Sequence, residues 1–238
     1  MKTALVLRGL ARFTDDRQVE IFKRMVGENT DIFICTWDET GAREHGANRY
    51  DYSTEETNVN KLLKVFNPVR IKVYSLSDFR DTQEQTLKLI ADKHDLDISQ
   101  NKAYQHTKNT LLGQMFCFQQ GVKLVQEFGF RKYERIVVSR FDYNCSAYTL
   151  PRVKPGEAWA SGSWHAYYND FCHIFHSSDI SGFAKIYDSL ADCGKDAFVS
   201  PYVKPRCSCA EIWYWNYIKK HLKLDFRNAN LGGQIRRA

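Results

Sequence analysis

The chain has 238 residues, 43% of them hydrophobic and 26% charged, with a formal net charge of +6. That is globular composition with ample length for one large core; no segment approaches the roughly 18 consecutive apolar residues of a membrane span. The positive balance favours an anionic partner such as a nucleotide, a phosphorylated substrate or nucleic acid, but it is not gathered into a tail or a basic helix and does not choose among them.

The opening KTALVLRG is an apolar, β-branched run that predicts a buried strand, closed by Gly9, which is free to take unusual backbone angles. Arg8 and Arg12 break the N-terminal run before the apolar region of a signal peptide would be complete. A helix follows, capped by Thr14 or Asp15, with Val19, Ile21, Phe22 and Met25 as its apolar stripe and Gly27 after it. TDIFICTWDE predicts a second buried strand running into Trp37, Asp38 and Glu39, and the Gly-rich, charged stretch from Thr40 to Ser53 predicts a loop.

Thr54 to Phe66 predicts a helix stopped before Pro68. VRIKVYSL predicts a third strand, and its alternation of Val69, Ile71 and Val73 with Arg70 and Lys72 places it near a sheet edge. Asp81 to Asp95 reads as a polar helix and DLDISQNKAYQH as a loop. The strongest helix spans about Thr107 to Phe128, where Leu111, Leu112, Met115, Phe116, Phe118, Val122 and Val125 recur at helical spacing before Gly129. It leads into the strand IVVS, which ends in Arg140, Phe141 and Asp142.

Beyond residue 150, EAWASG and FCHIFHS predict strands, SDISGFAKIYDSL a helix, CAEIWYWNYIKKHL an aromatic-rich helix, and LKLDF a last strand. Strand and helix alternate through the first 140 residues, which implies a mostly parallel sheet wrapped by helices. The whole reads as one domain, 1–238, in two halves, 1–145 and 146–238. Seven cysteines scattered through apolar segments, such as Cys35, Cys117 and Cys172, indicate reduced thiols in a cytosol-like compartment. Cys207 and Cys209 sit close together but lack two further zinc ligands at workable spacing.

A parallel sheet gathers ligands at the carboxyl ends of its strands, and three of those ends are polar here: Arg8-Gly9, Thr36-Trp37-Asp38 and Arg140-Phe141-Asp142. A diphosphate needs cations, and a hard ion such as Mg²⁺ or Mn²⁺ needs carboxylate oxygens. Asp142 and Asn144 have the spacing that puts two oxygen-bearing side chains on one side of an extended segment. With one carboxylate and one amide, such a site would rely on a nucleotide's phosphates for much of its metal affinity.

LRGLARF, DIFICTWDE, IVVSRFD and YNDFCHIFHSSDISGFAKIYDSL together resemble a group of nucleotide-sugar glycosyltransferases of GT-A type, found among bacterial surface-polysaccharide and large-virus proteins. The chain departs from that group's Asp-x-Asp metal motif by Arg140 in place of the first acid or Asn144 in place of the second, according to alignment. The resemblance implies a GT-A, Rossmann-like three-layer α/β sandwich with a mostly parallel central sheet. It implies transfer of a sugar from a nucleotide diphosphate-sugar donor to a glycan or glycoconjugate hydroxyl, assisted by Mn²⁺ or Mg²⁺, in the cytoplasm (the host cytoplasm for a viral chain). A nucleic-acid partner, which the pI of 8.9 and 14% aromatic content would suit, is not expected because the chain lacks a basic helix or an aromatic sheet motif.

By position, the resemblance puts Arg8, Gly9, Arg12, Asp38, Arg140 and Asp142 at the donor, with Asp142 and Asn144 as metal ligands. Asp170 or Glu211 is then the base that takes the acceptor's proton. Trp164, His165 and Tyr168 form an acceptor platform, since a sugar's apolar face stacks on aromatic rings. Trp213 and Tyr217 share one helical face and read as core. The alternative reading is a non-catalytic nucleotide- or glycan-binding module on the same fold.

Overall fold

The computed structural model describes residues 2–11, 16–39, 42–43, 52–53, 56–94, 111–145, 149–164, 167–193, 210–232 and 234–235. Arg12, Thr14, Asp15, the segment 95–106, His165, Cys207 and Cys209 lie outside them.

Seven strands form the main sheet: β1 (Thr3–Gly9), β2 (Thr30–Trp37), β3 (Arg70–Tyr74), β4 (Arg135–Arg140), β5 (Glu157–Ala160), β6 (Cys172–His176) and β7 (Asp225–Asn228). Their spatial order is β7-β5-β6-β4-β1-β2-β3. Strand β6 runs antiparallel to both neighbours, β4 and β5, and every other pair is parallel. The helices are α1 (Asp16–Val26), α2 (Val59–Phe66), α3 (Leu76–His94), α4 (Gly113–Gly129), α5 (Ile180–Phe183), α6 (Leu190–Cys193) and α7 (Ala210–Asn216), the last continuing as a π-helical turn over Tyr217–His221.

The period-2 alternation of the central strands splits the core in two. Ala4 and Val6 of β1, Phe33 and Cys35 of β2, and Ile136 and Val138 of β4 pack with α3, α4 and α7. Leu5, Leu7, Ile34 and Val137 face the other way, toward α1 and α2. The result is the mostly parallel, three-layer α/β sandwich expected from the sequence, its central strands apolar on both faces because both are covered. β3 lies at the sheet edge, with Arg70 and Lys72 exposed. Helix α4 packs closely on β1 and β2 at Gly121, where a Cβ would stand 2.4 Å from Val6 Cγ1. No described helix is long and apolar enough to cross a membrane.

Several boundaries differ from the sequence reading for identifiable reasons. Helix α2 starts at Val59 rather than Thr54, because Asn58 caps it through the Lys61 amide at 2.9 Å while Thr57 is held by the Trp37 and Asp38 carbonyls. Helix α3 starts at Leu76, five residues before Asp81, because the Asp38 carboxylate accepts the Leu76 amide (2.9 Å) and Ser75 Oγ accepts that of Asp78 (3.2 Å). The single helix expected over 178–190 breaks into α5, turns and α6. Gln119 of α4, fully buried, accepts the amides of Tyr187 and Asp188 at 2.9 and 3.0 Å, taking donors that a continuous helix would have used. The last strand is Asp225–Asn228 rather than 222–226, because Leu222 still donates its amide to Tyr217 and Lys223 turns with φ +56°.

Candidate functional site

Arg8 and Arg140 are register partners on the adjacent parallel strands β1 and β4, so their side chains leave the sheet together on the α4–α7 face. Phe141 turns to the opposite core, fully buried, with its ring 6.0 Å from that of Phe66. Asp142 comes back to the Arg140 side: Arg140 Nε donates to Oδ1 and Nη2 to Oδ2, each at 2.8 Å. The strand thus ends in a bidentate guanidinium–carboxylate pair, the strongest geometry available to these groups.

A third member arrives from the reversed strand. The Arg140 amide donates to the Phe171 carbonyl at 3.0 Å, which sets the segment before β6 against the end of β4. Asp170 is thereby placed so that its Oδ2 accepts from Arg140 Nη1 at 3.3 Å and its backbone carbonyl accepts from Arg8 Nη2 at 2.7 Å. Burial works against the Arg140 charge, but Asp170 and Asp142 more than offset it and hold the guanidinium above its ordinary pKa.

Arg8 is buried at 1% exposure, its guanidinium 5.5 Å from the Phe118 ring centre and 5.7 Å from that of Tyr214. Its Nε and Nη1 have no hydrogen-bond partner among the described residues, and neither do the ring nitrogens of His173 nor the hydroxyl of Tyr214. His173 packs its ring 4.2 Å from Tyr214, and burial, with a smaller contribution from Arg8, drives its pKa well below the usual imidazole range. Burial raises Tyr214 above the usual phenol range. Beneath the strand ends lies a buried Arg8–His173–Tyr214 group in which Arg8 alone carries charge.

Gly9 has φ +89°, a conformation that favours glycine, and its carbonyl accepts from Thr36 Oγ1 at 2.8 Å. Asp38 Oδ1 is occupied by the first amide of α3. Glu211 is half-buried in the first turn of α7, the helix that carries Tyr214. Tyr168 sets its ring edge-on against Trp215 and Phe226, each 4.8 Å away, while Trp213 and Tyr217 are core. Asn144 and Trp164 are described through their backbone, Asn144 pairing with Gln234 and Trp164 with Tyr167.

The sequence sets Asp170 apart on the acceptor side, gives His173 no metal-ligand role, and puts Tyr214 in an aromatic cluster that reads as core. The signal that joins them to Arg8 is the antiparallel return of β6 beside β4, a long-range pairing with no local pattern. The C-terminal segment carries no such signal either: the Tyr143 hydroxyl donates to the Gly232 carbonyl at 2.5 Å, Cys145 Sγ lies 3.7 Å from the Leu231 carbonyl, and Gln234 and Ile235 pair with Asn144 and Tyr143, fastening the turn that follows Asp142.

The carboxylates at the strand end fit a divalent ion poorly. Both oxygens of Asp142 are taken by Arg140, and no group of three or more His, Cys, Asp or Glu side chains among the described residues is placed to hold a metal. An ion on an Asp142 oxygen would stand roughly 4 Å from the guanidinium, where a dication and a cation repel by about 8 kcal/mol at an effective dielectric of about 20.

No family model matches the chain, and no curated protein sequence matches it. The solved structures it is similar to include mouse xyloside xylosyltransferase 1 in its apo form, at 11% identity and a TM-score of 0.43, over 94% of this chain and 83% of that one. At that identity and score, the likeness assigns no residue and no activity.

Proposed function

We propose that this chain is a glycosyltransferase moving a sugar from a nucleotide diphosphate-sugar donor to a glycan or glycoconjugate hydroxyl. The observation that carries the reading is the convergence of Arg8, Arg140, Asp142 and Asp170 at the carboxyl ends of β1 and β4. That is where parallel α/β sheets take their ligands. In this reading Arg140 faces the diphosphate, with the charge of buried Arg8 behind it, and the diphosphate's negative charge grows as the glycosidic bond to it breaks. Asp142 orients Arg140. A carboxylate on the acceptor side, Asp170 or Glu211, takes the proton of the attacking hydroxyl if the anomeric centre inverts.

The second reading, a non-catalytic nucleotide- or glycan-binding module on the same fold, is favoured by the pairing of Asp170 with Arg140 at 3.3 Å, which holds a candidate base in an ion pair. Release of nucleoside diphosphate from a panel of UDP- and GDP-sugars separates the two. A transferase hydrolyses at least one donor slowly without acceptor, and Asp142→Ala abolishes the release. A panel that binds with no release assigns the module; a panel that neither binds nor reacts refutes both.

A further inference from the structure

In the Arg8–Arg140–Asp142–Asp170 cluster Arg140 faces outward, while Arg8 and both carboxylates lie buried. The Arg140 side chain keeps 21% of its surface exposed, against 7% for Asp142 and 4% for Asp170. A ligand approaching the strand end therefore meets a guanidinium first, and a divalent ion reaches the carboxylates only by displacing it. Arg140 occupies, relative to Asp142, the place a metal would take: it bridges two carboxylates, contacting Asp142 through two nitrogens at 2.8 Å and Asp170 through the third at 3.3 Å.

The guanidinium is also suited to the ligand. Its planar fork matches a phosphate's oxygens as well as a carboxylate's, so contacts now made to Asp142 can pass to an incoming phosphoryl group. Burial does not discharge Arg140, because the flanking acids keep it protonated. A second guanidinium stands beside the first: Arg8 holds the Asp170 carbonyl at 2.7 Å while its Nε and Nη1 have no partner among the described residues. Arg140 is partly open to solvent, and Arg8, buried behind it, adds a second positive charge beneath the strand end, so an anion site here needs no added ion.

We propose that the strand end binds the diphosphate of a nucleoside diphosphate through guanidinium groups, with Arg140 in the place of a metal, so that binding needs no divalent cation. The inference rests on the reading of the site as a nucleotide diphosphate site. It adds the identity of the cation.

Calorimetric titration of UDP and GDP into the full chain, once in EDTA and once in excess Mn²⁺, tests it. At least one nucleotide is expected to bind in EDTA with a Kd within about threefold of its value in Mn²⁺. Arg140→Lys, which keeps the charge and loses the fork, is expected to weaken binding by about tenfold in both buffers. Asp142→Asn, which removes the competing carboxylate charge, is expected to tighten it. Circular dichroism and melting curves show that each variant is folded. Mn²⁺ titrated alone is expected to keep the spin-resonance signal of the free ion. Binding that needs Mn²⁺, or that Asp142→Asn abolishes, overturns the inference and leaves the nucleotide reading standing. Binding of neither nucleotide in either buffer overturns both.

Discussion

Replacing Arg140 with methionine removes the side chain that hydrogen-bonds both Asp142 and Asp170. The two carboxylate residues are 5% and 3% exposed, so neither regains full hydration when the guanidinium goes. Taking one partner from a buried, hydrogen-bonded ion pair costs about 3–5 kcal/mol. Because the Arg140 side chain itself keeps 21% of its surface exposed, the lower end, about 3 kcal/mol, applies. For a chain of this size that loss lowers the melting temperature by about 6–12 °C. Urea unfolding of the wild type and Arg140→Met at pH 7 measures it. Adding Asp142→Asn to Arg140→Met removes one stranded charge and is expected to recover roughly half of the loss. If Arg140→Met falls within about 1 kcal/mol of the wild type, the cluster is a solvated surface pairing and not a buried ionic network.

Three further outcomes follow from the packing. His173 is held neutral in the fold by burial and by Arg8, while its unfolded counterpart binds a proton near pH 6.5; stability is intact above that pH and falls by about 1.4 kcal/mol per unit below it, until the lowered folded pKa is reached. His173→Phe, which suits the ring neighbours Phe118, Tyr214 and Phe226, is expected to flatten the stability–pH curve in that window; parallel curves for the two proteins contradict the assignment. Gly121→Ala drives a methyl group against Val6 and is expected to lose about 1–2 kcal/mol in urea, net of alanine's better helix propensity; a stabilised variant would show that α4 lifts without cost. Tyr143→Phe removes the donor to the Gly232 carbonyl and is expected to lose about 1 kcal/mol and to speed amide exchange after residue 228; unchanged exchange there means the segment is held by other contacts.

The central strands were legible because a strand covered on both faces must be apolar at every position, as KTALVLRG, TDIFICTWDE and IVVS are. The edge position of β3 was legible in its alternating Arg70 and Lys72. Helix boundaries set by distant side chains were not: the start of α3 depends on Asp38, 38 residues away, and the break over 184–189 on the buried Gln119 of α4. At the candidate site, Arg140 and Asp142 read as neighbours from their spacing two apart on the chain. Arg8 joins them through the parallel pairing of β1 with β4, Asp170 and His173 through the pairing of β6 with β4, and Tyr214 through the packing of α7 on the sheet. Their convergence belongs to the topology.

The proposed activity requires that a nucleotide diphosphate-sugar seat at the carboxyl ends of β1 and β4. Hydrogen–deuterium exchange of the intact chain, with and without the nucleotide-sugar that most raises its melting temperature, places the ligand directly. The expected result is protection concentrated in peptides covering 8–11, 139–145 and 168–172. A ligand that stabilises the protein while leaving all three peptides unprotected, with protection elsewhere, would contradict the assignment of the site.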